Sequence, residues 1–404
     1  MTHIAEKKLV LVVDDAPENL HAVHSILKKD FNIRVATSGA KALELVRVKP
    51  DPDLILLDVT MPEMDGYEVC TILKASPETR DIPVIFLTGK TEANDETKGF
   101  EVGAVDYIHK PFSPAVMRAR VHTHLGLREA REQLAQQLLY INNELEMARE
   151  IQLSILPQET PKINGIDISA RFIPMSSVAG DFYDFIRVDE KRVGILVADV
   201  SGHGLPAALI ASMLQVALAA QVVHASDPGR VLAGLHQALC GKFKHHFVTA
   251  VYVFVDTEKK FMRFAGAGHP PLLLWSDSTQ SASELLENGL PLGLFPDASY
   301  SIGQIHVEAG DKVVLYTDGI IETESPSQQD FGIDLFKGFL QANHDLGANS
   351  FADSLLDELS NWSEHPRGQG QKDDITILTI DFHRLEQSLT VAQQILSAEV
   401  PAPH

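Results

Sequence analysis

The sequence predicts a chain of mixed class, α/β followed by α+β: a doubly wound parallel (βα)5 domain, a long helix, and a second domain with helices packed on antiparallel sheets. Three observations carry this expectation. Short continuous apolar runs alternate with amphipathic stretches through residues 1–121, the stretch 113–156 is dense in helix formers, and strand-like segments cluster beyond residue 160. A length of 404 residues accommodates two or three domains of roughly 150 residues each.

In the first region the runs at 9–13, 54–57, 84–87 and 105–108 read as strands, and a weaker run at 33–36 completes five. Strands that are apolar throughout and separated by helices belong to a parallel sheet covered on both faces. The second region holds Pro and Gly only at Pro114 and Gly126 and is rich in Ala, Leu, Glu, Gln and Arg, which favour helix. With Leu127, Leu134, Ile141, Ala148 and Ile155 at one heptad position, Arg131, Leu138, Leu145 and Gln152 fall at the other, so seven of the nine are apolar. That is a coiled-coil seam; the same pattern also fits one amphipathic helix lying on its own domain. Pro157 and Pro161 end the helix. In the third region, strands are expected at 193–198, 250–255, 263–267, 272–275, 312–317 and 375–381, with helices at 206–223 and 228–239. Clustered strands and clustered helices indicate an α+β domain. The expected boundaries are 1–121, 122–157 for the linker, 158–384, and a tail at 385–404 to which no function is assigned.

Composition narrows the function classes. The chain carries 34 Lys and Arg against 55 Asp and Glu, a net charge of −21, which opposes phosphate backbones and anionic lipid surfaces. No basic recognition helix follows the linker, so DNA binding is not expected. The two cysteines, Cys70 and Cys240, cannot build a disulfide framework and fit a reducing compartment. There is no signal-peptide pattern and no run near ~20 apolar residues, so a cytoplasmic protein without a membrane span is expected.

The acidic excess is patterned. Asp14 and Asp15 follow the first strand, Asp58 the third, Thr88 the fourth and Lys110 the fifth. In a parallel doubly wound sheet all five fall at the carboxyl edge, where such folds bind ligands. Three carboxylates there suit a hard cation such as Mg²⁺. Asp58 can then attack a phosphoryl group while the metal, Lys110 and Thr88 stabilise its oxygens. A single Asp at a strand end would be a turn former; five matched residues are not explained that way. Together with Met61-Pro62-Glu63-Met64-Asp65-Gly66 and Lys110-Pro111, residues 4–121 resemble a response-regulator receiver domain. The resemblance implies Asp58 as phosphoacceptor, Asp14, Asp15 and Asp58 as Mg²⁺ ligands, Thr88 and Tyr107 as the switch pair, a cis Lys110-Pro111 bond, and a cognate histidine kinase.

A second set of carboxylates also borders strands: Asp181 in Gly180-Asp181-Phe182-Tyr183-Asp184, Asp199 in Asp199-Val200-Ser201-Gly202-His203-Gly204, Asp318 in Thr317-Asp318-Gly319, and Asp373-Asp374 before the last strand. Gathered, they would offer an oxygen-only site for two divalent cations about 4 Å apart, which can acidify a water and hold phosphoryl oxygens for in-line attack. Spacing alone fits four separate loop carboxylates equally well. With Ala148-Arg149-Glu150-Ile151-Gln152, Ile155-Leu156-Pro157, Gly266-Ala267-Gly268-His269-Pro270-Pro271 and Leu292-Gly293-Leu294, residues 140–383 resemble the SpoIIE/RsbU-type branch of the PPM metal-dependent protein phosphatases. The resemblance implies a PPM-type sandwich holding two Mn²⁺ or Mg²⁺. By the same resemblance Asp199 would bridge the metals, the Val200 carbonyl would help to hold the first, Asp318 and Asp373 would hold the second, and Asp181 would bind through water or a more labile ion. Asp374 stands next to the last ligand.

His203 and His269 lie inside these motifs, but no His or Cys spacing fits zinc; turn-shaping or supporting roles are expected for both. By the phosphatase resemblance residues 206–223 correspond to the helices that would couple regulatory input to the metal site, while the helical spacing of Ala207, Leu209, Ile210, Met213, Leu214 and Val216 fits core packing. The two resemblances imply a phosphorylation-controlled phosphoserine/phosphothreonine protein phosphatase. It would form a homodimer through the linker and act on an anti-sigma-factor antagonist of the STAS fold. The alternative is an RssB-like adaptor that binds a sigma factor without catalysis, for which loss of the metal carboxylates is the discriminating feature; this chain keeps them.

Overall fold

The computed structural model describes residues 7–89, 98–243, 245–367, 369 and 371–383; the expected tail at 385–404 lies outside them. The chain divides into two compact units, Met1–Tyr140 and Ile141–His404.

In the first unit β1 (Leu9–Val13), β2 (Asn32–Ala36), β3 (Leu54–Asp58), β4 (Val84–Thr88) and β5 (Asp106–His109) form one parallel sheet in the order β2-β1-β3-β4-β5. Alternate residues serve opposite faces. Leu11, Val13, Ile55, Leu57 and Phe86 enter one core cluster, and Val10, Val12, Leu54, Leu56 and Ile85 the other, which is why the strands read as unbroken apolar runs. The helices α1 (Pro17–Leu27), α2 (Gly39–Leu45) and α3 (Gly66–Ala75) connect the strands. A reciprocal capping box between Asp65 and Glu68 starts α3. The strand order reverses between β1 and β3, and ligand sites of such sheets open at that point.

Helix α4 (Pro114–Ile155) begins within this unit and stays docked well past residue 121. Met117, Val121 and Leu125 are buried against the core. Arg128 donates to the Pro52 and Asp53 carbonyls at 3.3 and 2.9 Å, and Glu129 pairs with Lys8 at 3.1 Å. The middle of the seam faces solvent: Leu127, Leu134, Leu138 and Ile141 are 61, 57, 53 and 51 % exposed. Gln152 leaves it, because its side chain is buried in the second unit.

The second unit contains two sheets. One runs β13 (Asn288–Gly289), β10 (Phe261–Ala267), β9 (Val248–Asp256), β8 (Arg192–Val200), β7 (Phe182–Arg187), with β14 (Gly303–His306) also on β10. The other runs β12 (Ser281–Leu285), β11 (Leu272–Ser276), β15 (Lys312–Tyr316), β16 (Ile375–Phe382), β6 (Ile166–Ile173). Pairing is antiparallel except at the short β13. One apolar cluster joins Leu196 and Val251 of the first sheet to Ile168, Leu315 and Leu378 of the second. Helices α5 (Leu205–Ala219) and α6 (Pro228–Leu239) lie against β8 and β10, and α7 (Gly332–Ala342) and α8 (Ala348–Ser363) cover the second sheet.

Several expectations change. Strand β8 continues through Asp199, which pairs with Thr249, and Val200, which pairs with Val248; Asp199 is therefore inside a strand rather than after one. Helix α5 stops at Ala219 and a 3-10 turn follows at Val222–His224. On it Ala207, Ile210 and Leu214 are buried, whereas Leu209 and Val216 face solvent and Met213 is half-buried, so only one side of the apolar spacing packs. Helices α7 and α8 were not among the expected elements.

Candidate functional site

The carboxyl edge of the first sheet gathers the first set of residues. Asp14 is fully buried; its Oδ1 accepts from the Ala16 amide at 2.9 Å and Asn19 Nδ2 at 3.0 Å, and its Oδ2 from Lys110 Nζ at 2.7 Å. Lys110 also lies 3.0 Å from Asp58 Oδ1. Burial pushes the Asp58 carboxyl above its ordinary range, with the Lys110 ammonium pulling it back and Asp14 pushing it further up. Burial alone would lower the Lys110 ammonium; hydrogen bonds to Asp14 and Asp58 more than offset it. Gly66 sets the wall of the site, since a Cβ there would meet the Asp58 carbonyl oxygen at 2.2 Å. Ligand oxygens of Asp14, Asp15 and Asp58 lie within 4.8 Å of one another, a donor set that fits a hard divalent cation. Thr88, at the end of β4, and Tyr107, on β5, are both buried, with the Tyr107 ring against Phe86 and Phe100. The Lys110-Pro111 bond is cis.

The second set is brought together more loosely. Among the described residues no other three acidic, His or Cys groups approach as closely as Asp14, Asp15 and Asp58. The carboxylates of Asp199, Asp318 and Asp373 nevertheless share one electrostatic neighbourhood. Burial, then Asp318, Asp373, Asp374 and Glu322, push Asp199 up to about 7. Burial and Asp373 raise Asp318, whose buried Oδ1 has no hydrogen-bond partner. An unpartnered buried carboxylate oxygen among like charges fits a cation ligand and is costly otherwise. Glycine lets the backbone segments around these carboxylates pack closely: a Cβ on Gly180 would come within 2.9 Å of the Val200 carbonyl oxygen, and one on Gly319 within 2.0 Å of the Asp374 carbonyl oxygen.

Asp181 and Asp374 do other work. Asp181 is buried, and its Oδ2 accepts from Thr317 Oγ1 at 2.7 Å and Thr376 Oγ1 at 2.5 Å; burial first, then Asp199, raises its carboxyl. Asp374 accepts from the Met175 amide at 2.7 Å and the Gly180 amide at 2.6 Å, one on each oxygen, so it staples the loop that leads into Asp181. Gln152, at the end of α4, grips the same loop, donating to the Ala179 carbonyl at 2.7 Å and accepting from its amide at 2.9 Å.

His269 is buried between the sheets. Its Nε2 faces the Tyr316 carbonyl at 2.9 Å and must donate, so Nδ1 accepts from Thr249 Oγ1 at 3.0 Å; burial lowers it to about 4 and keeps it neutral. His203 is exposed. The sequence reading missed Thr317 and Thr376 as partners of Asp181, and Glu322. Glu322 lies one helical turn beyond Asp318, its amide donating to the Asp318 carbonyl at 2.8 Å, and that spacing was a usable signal. Burial, Asp318 and Asp373 raise its carboxyl.

Residues 10–122 match the family model of the response regulator receiver domain, and residues 189–383 match that of stage II sporulation protein E (SpoIIE). The chain thus carries a receiver domain followed by a SpoIIE-family domain of PP2C-like fold. It is 46% identical over 136 residues to a probable cyclic di-GMP phosphodiesterase of Vibrio cholerae, covering 34% of this chain and 31% of that one. It is 32% identical over 183 residues to the phosphoserine phosphatase RsbU of Bacillus subtilis, covering 45% and 54%. The solved SiaA-PP2C domain of Pseudomonas aeruginosa superposes with a TM-score of 0.55 at 26% identity, covering 61% of this chain and 99% of that domain. The chain spans about half the length, or less, of these curated relatives. The SpoIIE domain implies a divalent metal, and the donor set around Asp199 and Asp318 fits one. Among the described residues no helix is long and apolar enough to cross a membrane.

Proposed function

We propose that the chain is a cytoplasmic response regulator whose phosphorylation at Asp58 controls a metal-dependent phosphoserine/phosphothreonine protein phosphatase. The observation that carries the reading is the half-buried carboxylate neighbourhood of Asp199, Asp318 and Asp373, with a buried, unpartnered Asp318 oxygen, in a SpoIIE-family domain. Asp199 and the Val200 carbonyl would hold the first divalent cation, Mn²⁺ or Mg²⁺; Asp199, Asp318 and Asp373 would hold the second. When bound, these ions supply an acidified water as nucleophile and positive charge for the phosphoryl oxygens. Asp181 fixes the geometry through Thr317 and Thr376 and is the candidate for a more labile ion. Asp374 holds the 175–180 loop and is a positioning residue.

In the receiver, the Asp58 carboxylate attacks the phosphoryl group of a phosphodonor such as a histidine kinase, forming the P–O bond as the donor group leaves. Lys110 offsets the charge, and Asp14, Asp15 and Asp58 would hold a Mg²⁺ ion that, when bound, supplies further positive charge for the phosphoryl oxygens. Thr88 and Tyr107 respond to the new phosphoryl group. The exposed apolar seam of α4 supports a homodimer, and Gln152 gives that helix a direct hold on the loop before Asp181. The substrate proposed is an anti-sigma-factor antagonist of the STAS fold in partner-switching signalling. Hydrolysis of p-nitrophenyl phosphate by the full chain tests the catalytic part: turnover should require Mn²⁺ or Mg²⁺ and vanish in Asp199→Ala. Metal-independent turnover would reject the metal-dependent mechanism, and no turnover in phosphodonor-treated protein would reject catalysis in favour of an adaptor.

A further inference from the structure

Beside Asp373 lies a cleft of about 250 Å³ whose walls include Glu322, Glu324, Asp330, Lys372 and Asp373. Lys372 is the cation among its described lining residues. A larger groove of about 410 Å³, bordered by the end of α8, adjoins it and shares Thr323, Glu324 and Lys372 as a common wall. Lys372 Nζ stands 2.5 Å from Glu324 Oε1, with the two side chains 69 and 30 % exposed.

Charge gives this pair a task. A phosphomonoester brings close to two negative charges at neutral pH, and the other charged walls of the cleft are carboxylates. Two divalent cations, if bound, are already matched by Asp181, Asp199, Asp318 and Asp373, which leaves Glu322 and Asp330 in excess. A dianion entering such a place needs a further protein cation. Lys372 adjoins Asp373 in the chain and carries its ammonium on a flexible stem suited to a point contact with phosphate. Its present partner is the fixed member of the pair. Glu324 sits in a loop closed by a bridge to Asp330 and held by the Trp362 indole, which donates to the Thr323 and Gln329 carbonyls at 3.1 and 3.3 Å. A solvent-exposed ion pair is weak enough to exchange.

We propose that Lys372 binds the phosphoryl group of the substrate and that Glu324 is the counter-ion it exchanges for that group. The proposal rests on the phosphatase reading above. The test is titration of inorganic phosphate into the Mn²⁺-loaded full chain by calorimetry, together with phosphate inhibition and KM for p-nitrophenyl phosphate. Lys372→Met should weaken phosphate binding about ten-fold or more, the range of a charge-assisted hydrogen bond, with the loss in turnover falling on KM. Lys372→Arg should recover most of it, and Glu324→Gln should tighten phosphate a few-fold. Unchanged phosphate affinity in Lys372→Met, or no phosphate binding in the wild type, overturns the proposal. So does a loss that tracks a parallel loss of Mn²⁺ affinity, which would assign Lys372 to the metal site. Lys372-dependent phosphate binding without turnover would sink the phosphatase reading alone.

Discussion

Replacing Asp199 by Asn removes a charge where burial and the carboxylates of Asp318, Asp373, Asp374 and Glu322 push the acid from 3.8 up to about 7. The folded state binds this proton more tightly than the unfolded chain does. Stability is therefore lost as pH rises between those two values, and the loss is complete above about 7. The gap is worth at most ~4 kcal/mol, and a domain of this size shifts its melting temperature by roughly 2–4 °C per kcal/mol. Thermal denaturation of the full chain in chelator should show Asp199→Asn melting several degrees above wild type at pH 8, with the difference shrinking toward pH 5. Mn²⁺ should raise the wild type clearly more than Asp199→Asn, whose remaining response comes from the intact receiver site at Asp14, Asp15 and Asp58. If the variant melts at or below wild type in chelator at pH 8, or if Mn²⁺ raises both equally, Asp199 does not stand among carboxylates built for a cation.

Gln152→Leu leaves the buried Ala179 amide and carbonyl without their partners, a loss of about 2–5 kcal/mol, which denaturant unfolding should report. Because the loop leads to Asp181, Mn²⁺ affinity should change with it, and an unaltered midpoint and affinity would show that the grip has no energetic weight. Gly66→Ala forces a Cβ onto the Asp58 carbonyl oxygen; it should destabilise the receiver and abolish labelling by acetyl phosphate, and normal labelling would mean that the loop yields freely.

The receiver was legible because its rule is local. In a parallel sheet every strand ends at the same edge, so Asp14, Asp58, Thr88 and Lys110 could be placed from five apolar runs alone. The second domain is antiparallel, and its partners come from far along the chain: Thr317 and Thr376, which hold Asp181, are 136 and 195 residues away from it. No periodicity announces such pairs. Strand β8 ran past its expected end because β9 continues beside it, carrying Asp199 into the ladder. Gln152 reads as a polar flaw in a heptad seam, yet its amide is complementary to the backbone of Ala179. Helices α7 and α8 were readable in hindsight from Phe336 with Leu340, and Phe351 with Leu355 and Leu359, all buried at helical spacing. Glu322, one turn from Asp318, was readable in the same way.

Control of the second site by the first is tested most directly by the Mn²⁺-dependent phosphatase rate of the full chain, with and without acetyl phosphate, in wild type and in Asp58→Ala. The wild-type rate should change on phosphodonor treatment while the rate of Asp58→Ala stays constant. An identical response in the two proteins would contradict phosphorylation control through Asp58.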